Sequence, residues 1–168
     1  MLTATATAPR GVNSVRESLD NPTLEHVRSF PFRMTHGFSL DRCPRSGFLR
    51  WHPDLHDANF PGSATHWGKT YGAEVYRLKD ELTLEMLLRM AMEGGRLSLG
   101  AWTSARLCSQ CREHLPKDNW AVCVGEEHER GTPGFIWVQE GTGGWGLALF
   151  KWRASWARGA YAIFFHEL

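Results

Sequence analysis

Apolar residues follow the spacing of an amphipathic helix in one long segment, which we predict as a helix over Leu82–Glu93. Within it, Leu84, Leu87, Leu88 and Ala91 stand at the i, i+3, i+4 and i+7 positions of one helix face. Because these side chains share one face, we expect that face to pack against the rest of the protein.

Capping residues flank this segment. Asp80 or Thr83 can cap its start, and the pair Gly94-Gly95 can end it. A second, shorter helix is predicted over Leu97–Leu107, and it would lead directly into Cys108.

Segments rich in aromatic and β-branched residues, separated by turn residues, predict strands. These segments are Val27–Met34, Tyr71–Leu78, Phe135–Gln139, Gly146–Trp152 and Tyr161–His166. We expect the last three to form a C-terminal antiparallel β-meander. The predicted class is therefore α+β, with one main amphipathic helix and a zinc-knuckle-like insertion.

Length and composition predict a single domain. The chain has 168 residues, and a domain of this size buries roughly two-thirds of its unfolded surface. Residues 1–12 are predicted to be a flexible N-terminal tail. Residues 13–168 would form one α+β domain with a cysteine-rich knuckle at 104–130.

Charge weakens one class of function. The net charge is +1 and the charged residues are spread evenly along the chain. Proteins that bind a nucleic-acid duplex usually carry a basic block or stripe, and the sequence has none. No apolar run reaches the ~18–20 residues of a membrane-spanning helix. We therefore expect no membrane contact. Four cysteines that include a C-x2-C pair are more typical of cytosolic metal chemistry than of a secreted disulfide framework, so a cytoplasmic location is expected. No small-molecule cofactor is evident.

The cysteine cluster carries the clearest chemistry. Cys108, Cys111, Cys123 and His128 have the spacing C-x2-C-x11-C-x4-H, which suits a four-coordinate zinc ion. His114 or Cys43 are the alternative fourth ligands. Buried unligated thiols and a redox pair are the competing interpretations.

The stretch CSQCREHLPKDNWAVC resembles half of a zinc ribbon, with Leu115-Pro116 and Trp120 at the positions that such modules use. The second C-x2-C of a ribbon is absent. The resemblance therefore implies a structural zinc site and carries no family function with it.

A histidine-rich loop follows Trp51. His52, Asp54, His56 and Asp57 lie within six residues, and such a group can bind a metal or act as acid and base. Pro53 argues for a turn here, so a polar surface loop is the alternative.

Aromatic and basic residues alternate in the C-terminal third. Alternation along a strand separates them onto two faces. A basic face beside exposed aromatic rings can engage a protein or stack unpaired bases; sheet core with a solvated charged face is the alternative. The predicted binding surface consists of Trp145, Lys151, Trp152, Arg153, Trp156 and Arg158.

The layout of the segments 33–37 and 67–72, followed by Val75-Tyr76 and a helix, resembles that of ADP-ribosyltransferase-type folds. The resemblance implies that His36 and Tyr71 hold nicotinamide and that Glu140 or Glu167 orients the ribose hydroxyl.

The leading functional prediction is a non-enzymatic, zinc-stabilised accessory protein that binds a protein or protein–nucleic-acid complex, or a single-stranded nucleic acid. The alternative is an enzyme, either ADP-ribosyltransferase-like or metal-assisted through the His52/His56 loop.

Overall fold

A computed structural model describes most of the chain after residue 18. The described residues are 19, 21–43, 48–61, 63–97, 99, 101–124, 132–138, 143–150 and 154–168, with residues 63 and 132–138 described by their backbone alone. The predicted tail at residues 1–12 lies outside them.

Strands make up most of the described secondary structure. The β-strands are β1 (Leu24–Arg33), β2 (Phe48–Trp51), β3 (Thr70–Leu78), β4 (Leu82–Thr83), β5 (Ala121–Cys123), β6 (Thr132–Val138), β7 (Gly144–Phe150), β8 (Ser155–Trp156) and β9 (Tyr161–Glu167). The α-helices are α1 (Leu84–Glu93) and α2 (Ala101–Gln110), and single 3-10 turns cover Ser63–His66 and Arg112–His114. The described part is thus a sheet-rich mixed α and β fold with two α-helices.

Seven strands form one mixed sheet in the order β1-β3-β9-β5-β6-β7-β2, and β4 pairs with β8 in a separate two-stranded sheet. Strand β1 is antiparallel to β3, and β3 to β9. Strands β5 and β6 are antiparallel, as are β6 and β7. The pairs β5–β9 and β2–β7 are parallel.

The predicted C-terminal meander is only partly correct. Strands β6 and β7 are antiparallel neighbours, but β9 lies between β3 and β5 and runs parallel to β5. The first five residues of β9 are all buried. A strand with both faces covered belongs in the middle of a sheet rather than at the end of a meander.

Each face of the sheet carries its own apolar core. The α2-side core contains Trp102 and Ala105 of α2 together with inward-facing residues of β1, β3, β5 and β9. The α1-side core contains Leu84, Leu87 and Ala91 of α1. These three residues come from the predicted apolar face, so the amphipathic pattern of this helix is confirmed.

The cap of α1 is also as predicted. The Thr83 hydroxyl accepts a hydrogen bond from the Met86 amide at 3.3 Å, and the helix stops at Gly94. Capping of this kind satisfies amide groups that have no partner inside the helix. Helix α2 begins four residues later than its predicted start at Leu97 and continues through Cys108 to Gln110.

A buried ion pair joins α1 to the sheet. Arg96, just after α1, donates from Nε to Oε2 of Glu74 at 2.9 Å and from Nη2 to Oε1 at 3.0 Å. Its Nη1 donates to the Gly94 carbonyl at 2.7 Å. The Tyr76 hydroxyl donates to Oε2 of Glu74 at 3.2 Å, and Nδ1 of His166 lies 3.2 Å from Oε1. This cluster of hydrogen bonds around the Glu74 carboxylate fixes the end of α1 on β3 and β9.

Candidate functional site: an aromatic–basic cleft beside the cysteine cluster

The four cysteines belong to one core. Cys108 and Cys111 stand at the end of α2, Cys123 ends β5, and Cys43 lies in the loop after β1. All four are buried, are free of disulfides and belong to the α2-side core. The tertiary structure therefore brings Cys43, which is 65 residues from Cys108 in the sequence, into the same core as the C-x2-C pair.

Burial favours the neutral thiol form of Cys108, Cys111 and Cys123, whose pKa values are all raised. It raises the pKa of Cys108 well above 9.0, and the neighbouring Cys123 thiol acts in the same direction while Arg112 opposes it. Burial raises the pKa of Cys123 to about 12. Because the thiolate is both the nucleophile and the metal ligand, these groups react and bind metal only after losing a proton.

The predicted ligand set is only partly described. Within the described ranges, no group of three or more His, Cys, Asp or Glu side chains is arranged to hold a metal ion. His128 lies outside those ranges. The ring of His114 stacks on Phe30 with centroids 4.7 Å apart, and its Nε2 is 3.4 Å from a carboxylate oxygen of Glu113. His114 is thus engaged outside the thiol cluster.

The histidine-rich loop uses its polar groups to hold its own turns and to join the loop after β1. Nδ1 of His52 accepts from the Asp54 amide at 3.2 Å, and Nε2 of His56 is 2.9 Å from the Asn59 side-chain amide. Oδ1 of Asp57 accepts a backbone amide of the preceding loop at 2.7 Å. These bonds are typical of a loop stabilised by its own side chains.

Two aromatic residues of the predicted C-terminal binding surface are buried in the structure. Trp145 is fully buried in the α2-side core, and Trp156 is 4% exposed in the α1-side core. An indole buries a large apolar area, so core positions on both sheet faces accept it. Arg158 is exposed in the turn before β9. The remaining predicted residues, Lys151, Trp152 and Arg153, lie outside the described residues.

Two residues of the transferase resemblance are neighbours in the sheet. Tyr71 of β3 and Glu167 of β9 are paired across the two strands. The Tyr71 hydroxyl contacts Nδ1 of His66, whose ring packs on Trp102 with centroids 4.5 Å apart. Burial and the nearby Glu167 raise the pKa of Tyr71 to about 12.

His36 packs against Gly68, and one predicted glutamate is not described. A Cβ added to Gly68 would lie 3.0 Å from Nε2 of His36, so the imidazole packs directly on that glycine. Burial lowers the pKa of His66, and Lys69 acts in the same direction. The other predicted glutamate, Glu140, lies outside the described residues.

A cleft of about 320 Å³ opens beside these loops. We call it the Trp67 cleft. It is lined by Gly37, Ser39, Arg42, Asp57, Phe60, Pro61, Ala64 and Trp67. Three loops contribute to it: the loop after β1, the histidine-rich loop, and the turn before β3.

The Trp67 side chain is exposed yet held in place. It is 36% exposed, and its indole Nε1 donates to the Phe38 carbonyl at 3.0 Å. Phe60 is 6% exposed and belongs to the α2-side core. The cleft therefore combines a buried apolar residue with an aromatic ring of fixed orientation.

Two charged side chains complete the lining. Arg42 is exposed, and its amide is held by the Ser39 hydroxyl at 3.2 Å. Asp57 is half-buried, and its Oδ1 accepts from the Leu40 amide at 2.7 Å. Trp67 and Arg42 are not among the site residues predicted from the sequence. The sequence feature that could have indicated them is the presence of an aromatic and a basic residue in loops rich in Gly and Pro.

No protein-family model, no curated protein and no solved structure matches this chain. In the part of the chain that the structure describes, no helix has the length and apolar character needed to cross a membrane.

Proposed function

We propose that this chain is a non-enzymatic binding protein that engages a protein or single-stranded nucleic-acid partner through the Trp67 cleft. The observation that carries the proposal is the partly exposed Trp67 ring fixed by its hydrogen bond to Phe38, with Arg42 beside it. Tryptophan and arginine are enriched among the residues that contribute most to binding energy at interfaces. We thus place the partner-binding surface at this cleft, whereas the sequence analysis predicted it on the C-terminal strands.

Preorganisation supports this choice of surface. A side chain that is already ordered loses less conformational entropy when a partner binds. The Trp67 ring is ordered by one hydrogen bond and lies over loops anchored in the α2-side core through Phe38 and Phe60. A partner would therefore meet a nearly prebuilt cleft rather than a surface that must rearrange.

A selection experiment tests the binding function without assuming the partner class. Random peptides and random single-stranded oligonucleotides would be selected on immobilised protein, on Trp67→Ala, and on Met86→Ala as control. Met86 is 43% exposed and lies on α1, on the other side of the sheet. We expect ligands that bind wild type and the control but not Trp67→Ala. Ligands that bind all three proteins equally, or none at all, would contradict the proposal.

We also propose a structural zinc ion bound by Cys108, Cys111 and Cys123, with His128 or Cys43 as fourth ligand. Support comes from the ligand spacing and from the gathering of all four cysteines in one core. Binding requires the thiols to lose protons. Because the described residues contain no group of three side chains ready to hold a metal, binding also requires these side chains to rearrange. Cys43 directly follows Arg42 in the chain. A metal held by Cys43 would therefore tie a wall of the cleft to α2.

Metal analysis of protein purified without added zinc or chelator tests this site. About one zinc ion per chain is expected, as in structural sites with four protein ligands. Cys111→Ser should lower that content, and Cys43→Ser and His128→Ala should identify the fourth ligand. Zinc-free protein that keeps its full thermal stability would remove the zinc proposal and leave ordinary core cysteines.

One observation favours a second candidate function. The cross-strand pair Tyr71 and Glu167 brings together two of the residues that the transferase resemblance names, and His66 contacts the Tyr71 hydroxyl. An enzyme of this type would release nicotinamide from NAD. Release by wild type that is lost in Glu167→Gln would establish it. No release with wild type would exclude this alternative.

A further inference from the structure

The Trp67 cleft offers three different kinds of contact to a ligand. Trp67 supplies a flat aromatic surface, and Arg42 supplies a cation. Asp57 supplies a carboxylate that uses Oδ1 for the Leu40 amide. Within the described part of the chain, no partner for its Oδ2 is found. A complementary ligand therefore has a flat ring, a hydrogen-bond donor at the ring edge, and a negative charge.

A nucleotide has all three of these features. Its base stacks on aromatic side chains, and its phosphate pairs with arginine. Cytosine carries an amino group that an aspartate accepts. A lysine or arginine side chain of a protein partner would also meet Asp57 and the indole face, but Arg42 would repel it. The cation and the carboxylate of the cleft thus match both polar parts of a nucleotide, its phosphate and its amino group, whereas a basic side chain matches the carboxylate alone.

We propose that the Trp67 cleft binds one nucleotide of a single-stranded nucleic acid, with the base on Trp67, its amino group at Asp57 and its phosphate at Arg42. This inference rests on the proposed binding function and names its ligand class. Among the described residues that line the cleft, Arg42 alone is basic, which fits one nucleotide better than a long backbone track.

Base selectivity follows from the chemistry of Asp57. A carboxylate only accepts hydrogen bonds, so it pairs with the exocyclic amino group of cytosine and opposes O4 of uracil. Cytosine and uracil are nearly isosteric, so stacking on Trp67 hardly separates them. Asp57→Asn adds a donor and should shift the preference toward uracil. The asparagine oxygen can still accept from the Leu40 amide, so the loop is preserved.

Indole N–H resonances in ¹H–¹⁵N NMR spectra provide the assay. Trp67→Phe assigns the Trp67 signal and keeps a ring for stacking, which guards against loss of the fold in Trp67→Ala. Wild type would be titrated with single-stranded hexamers of deoxycytidylate and of deoxyuridylate. We expect the Trp67 signal to shift with both, and cytosine to bind about 5-fold more tightly or better. Trp67→Ala should weaken both by at least about 5-fold.

Charge variants test the phosphate contact. Arg42→Gln should weaken both hexamers equally and make the salt dependence shallower by about 0.7 in the log–log slope. Arg89→Gln is the matched control, because Arg89 is 69% exposed on α1, on the other side of the sheet. We expect this control to leave binding unchanged.

Three results would overturn the nucleotide inference. These are an unshifted Trp67 signal with both hexamers, equal affinity for the two bases, and an unchanged preference in Asp57→Asn. If peptides but not oligonucleotides emerged as Trp67-dependent ligands in the selection experiment, the binding function would stand and only the ligand class would fall. If neither peptides nor oligonucleotides depended on Trp67 for binding, both the binding function and the nucleotide inference would be wrong.

Discussion

Replacing Arg96 by methionine should destabilise the fold by about 3–5 kcal/mol, the usual cost of removing one partner from a buried ion pair. Arg96 and Glu74 have side chains that are 4% and 5% exposed. The substitution removes two bonds to the carboxylate and one to the Gly94 carbonyl. The Glu74 carboxylate would then stay buried with Tyr76 and His166 as its remaining described partners.

The size of this loss can be compared with the whole stability. A native domain is stable by roughly 5–15 kcal/mol, so Arg96→Met would remove roughly 30–50% of a mid-range value of about 10 kcal/mol. At about 2–4 °C per kcal/mol for a chain of this size, the melting temperature should fall by roughly 6–20 °C. The effect comes from an unpaired buried charge and not from lost apolar area, since methionine fills much of the same space.

Equilibrium unfolding in urea, followed by circular dichroism, measures the loss. Arg89→Met is the matched control, since Arg89 pairs with Glu85 at 3.5 Å on the exposed face of α1. Surface pairs of this kind contribute only about 0.3–0.5 kcal/mol. The double variant Glu74→Met/Arg96→Met should be more stable than Arg96→Met, because no charge is left behind. A loss below about 1 kcal/mol for Arg96→Met would refute the reasoning.

Three further predictions concern the sheet and its thiols. Gly72→Ala should lower the free energy of unfolding by about 1–3 kcal/mol, because the new Cβ would overlap the His166 imidazole and displace it. Thermal unfolding measures this loss. The pKa of Cys123 is raised from 9.0 to about 12, so the native state favours the neutral thiol. The stability that this neutral thiol contributes should be complete below about pH 9 and should be lost as the pH rises toward 12. The urea unfolding midpoint of wild type should therefore fall over this pH range, and it should fall less steeply in Cys123→Ala. Tyr71→Phe removes the hydroxyl that contacts His66 and should lower the free energy of unfolding in urea by about 0.5–1.5 kcal/mol. An unchanged free energy would show that this contact does not stabilise the fold.

Helix α1 illustrates what local sequence can predict. Its apolar face, its Thr83 cap and its end at Gly94 all depend on residues within a few positions of each other. Strand β3 was predicted as Tyr71–Leu78 and is observed as Thr70–Leu78, for the same local reason. The predicted cysteine positions at the end of α2 also follow from local structure.

The binding surface illustrates what local sequence cannot predict. Alternation along β7 places Trp145 on one face of the strand, but it does not tell which face is covered. Only the packing of the sheet against α2 decides that this tryptophan is buried. In the same way, the position of Trp67 in an open cleft depends on how three loops meet, and loop conformations depend on contacts with distant residues.

By itself, the sequence determined the α1 helix, the approximate extents of several strands, and the spacing of Cys108, Cys111 and Cys123. Each of these depends on interactions over a few residues. The tertiary structure alone decided the position of β9 in the middle of the sheet, the approach of Cys43 to the other cysteines, and the combination of Trp67 with Arg42 and Asp57. These features join residues far apart in the chain, and their contacts form only when the two cores close on the sheet.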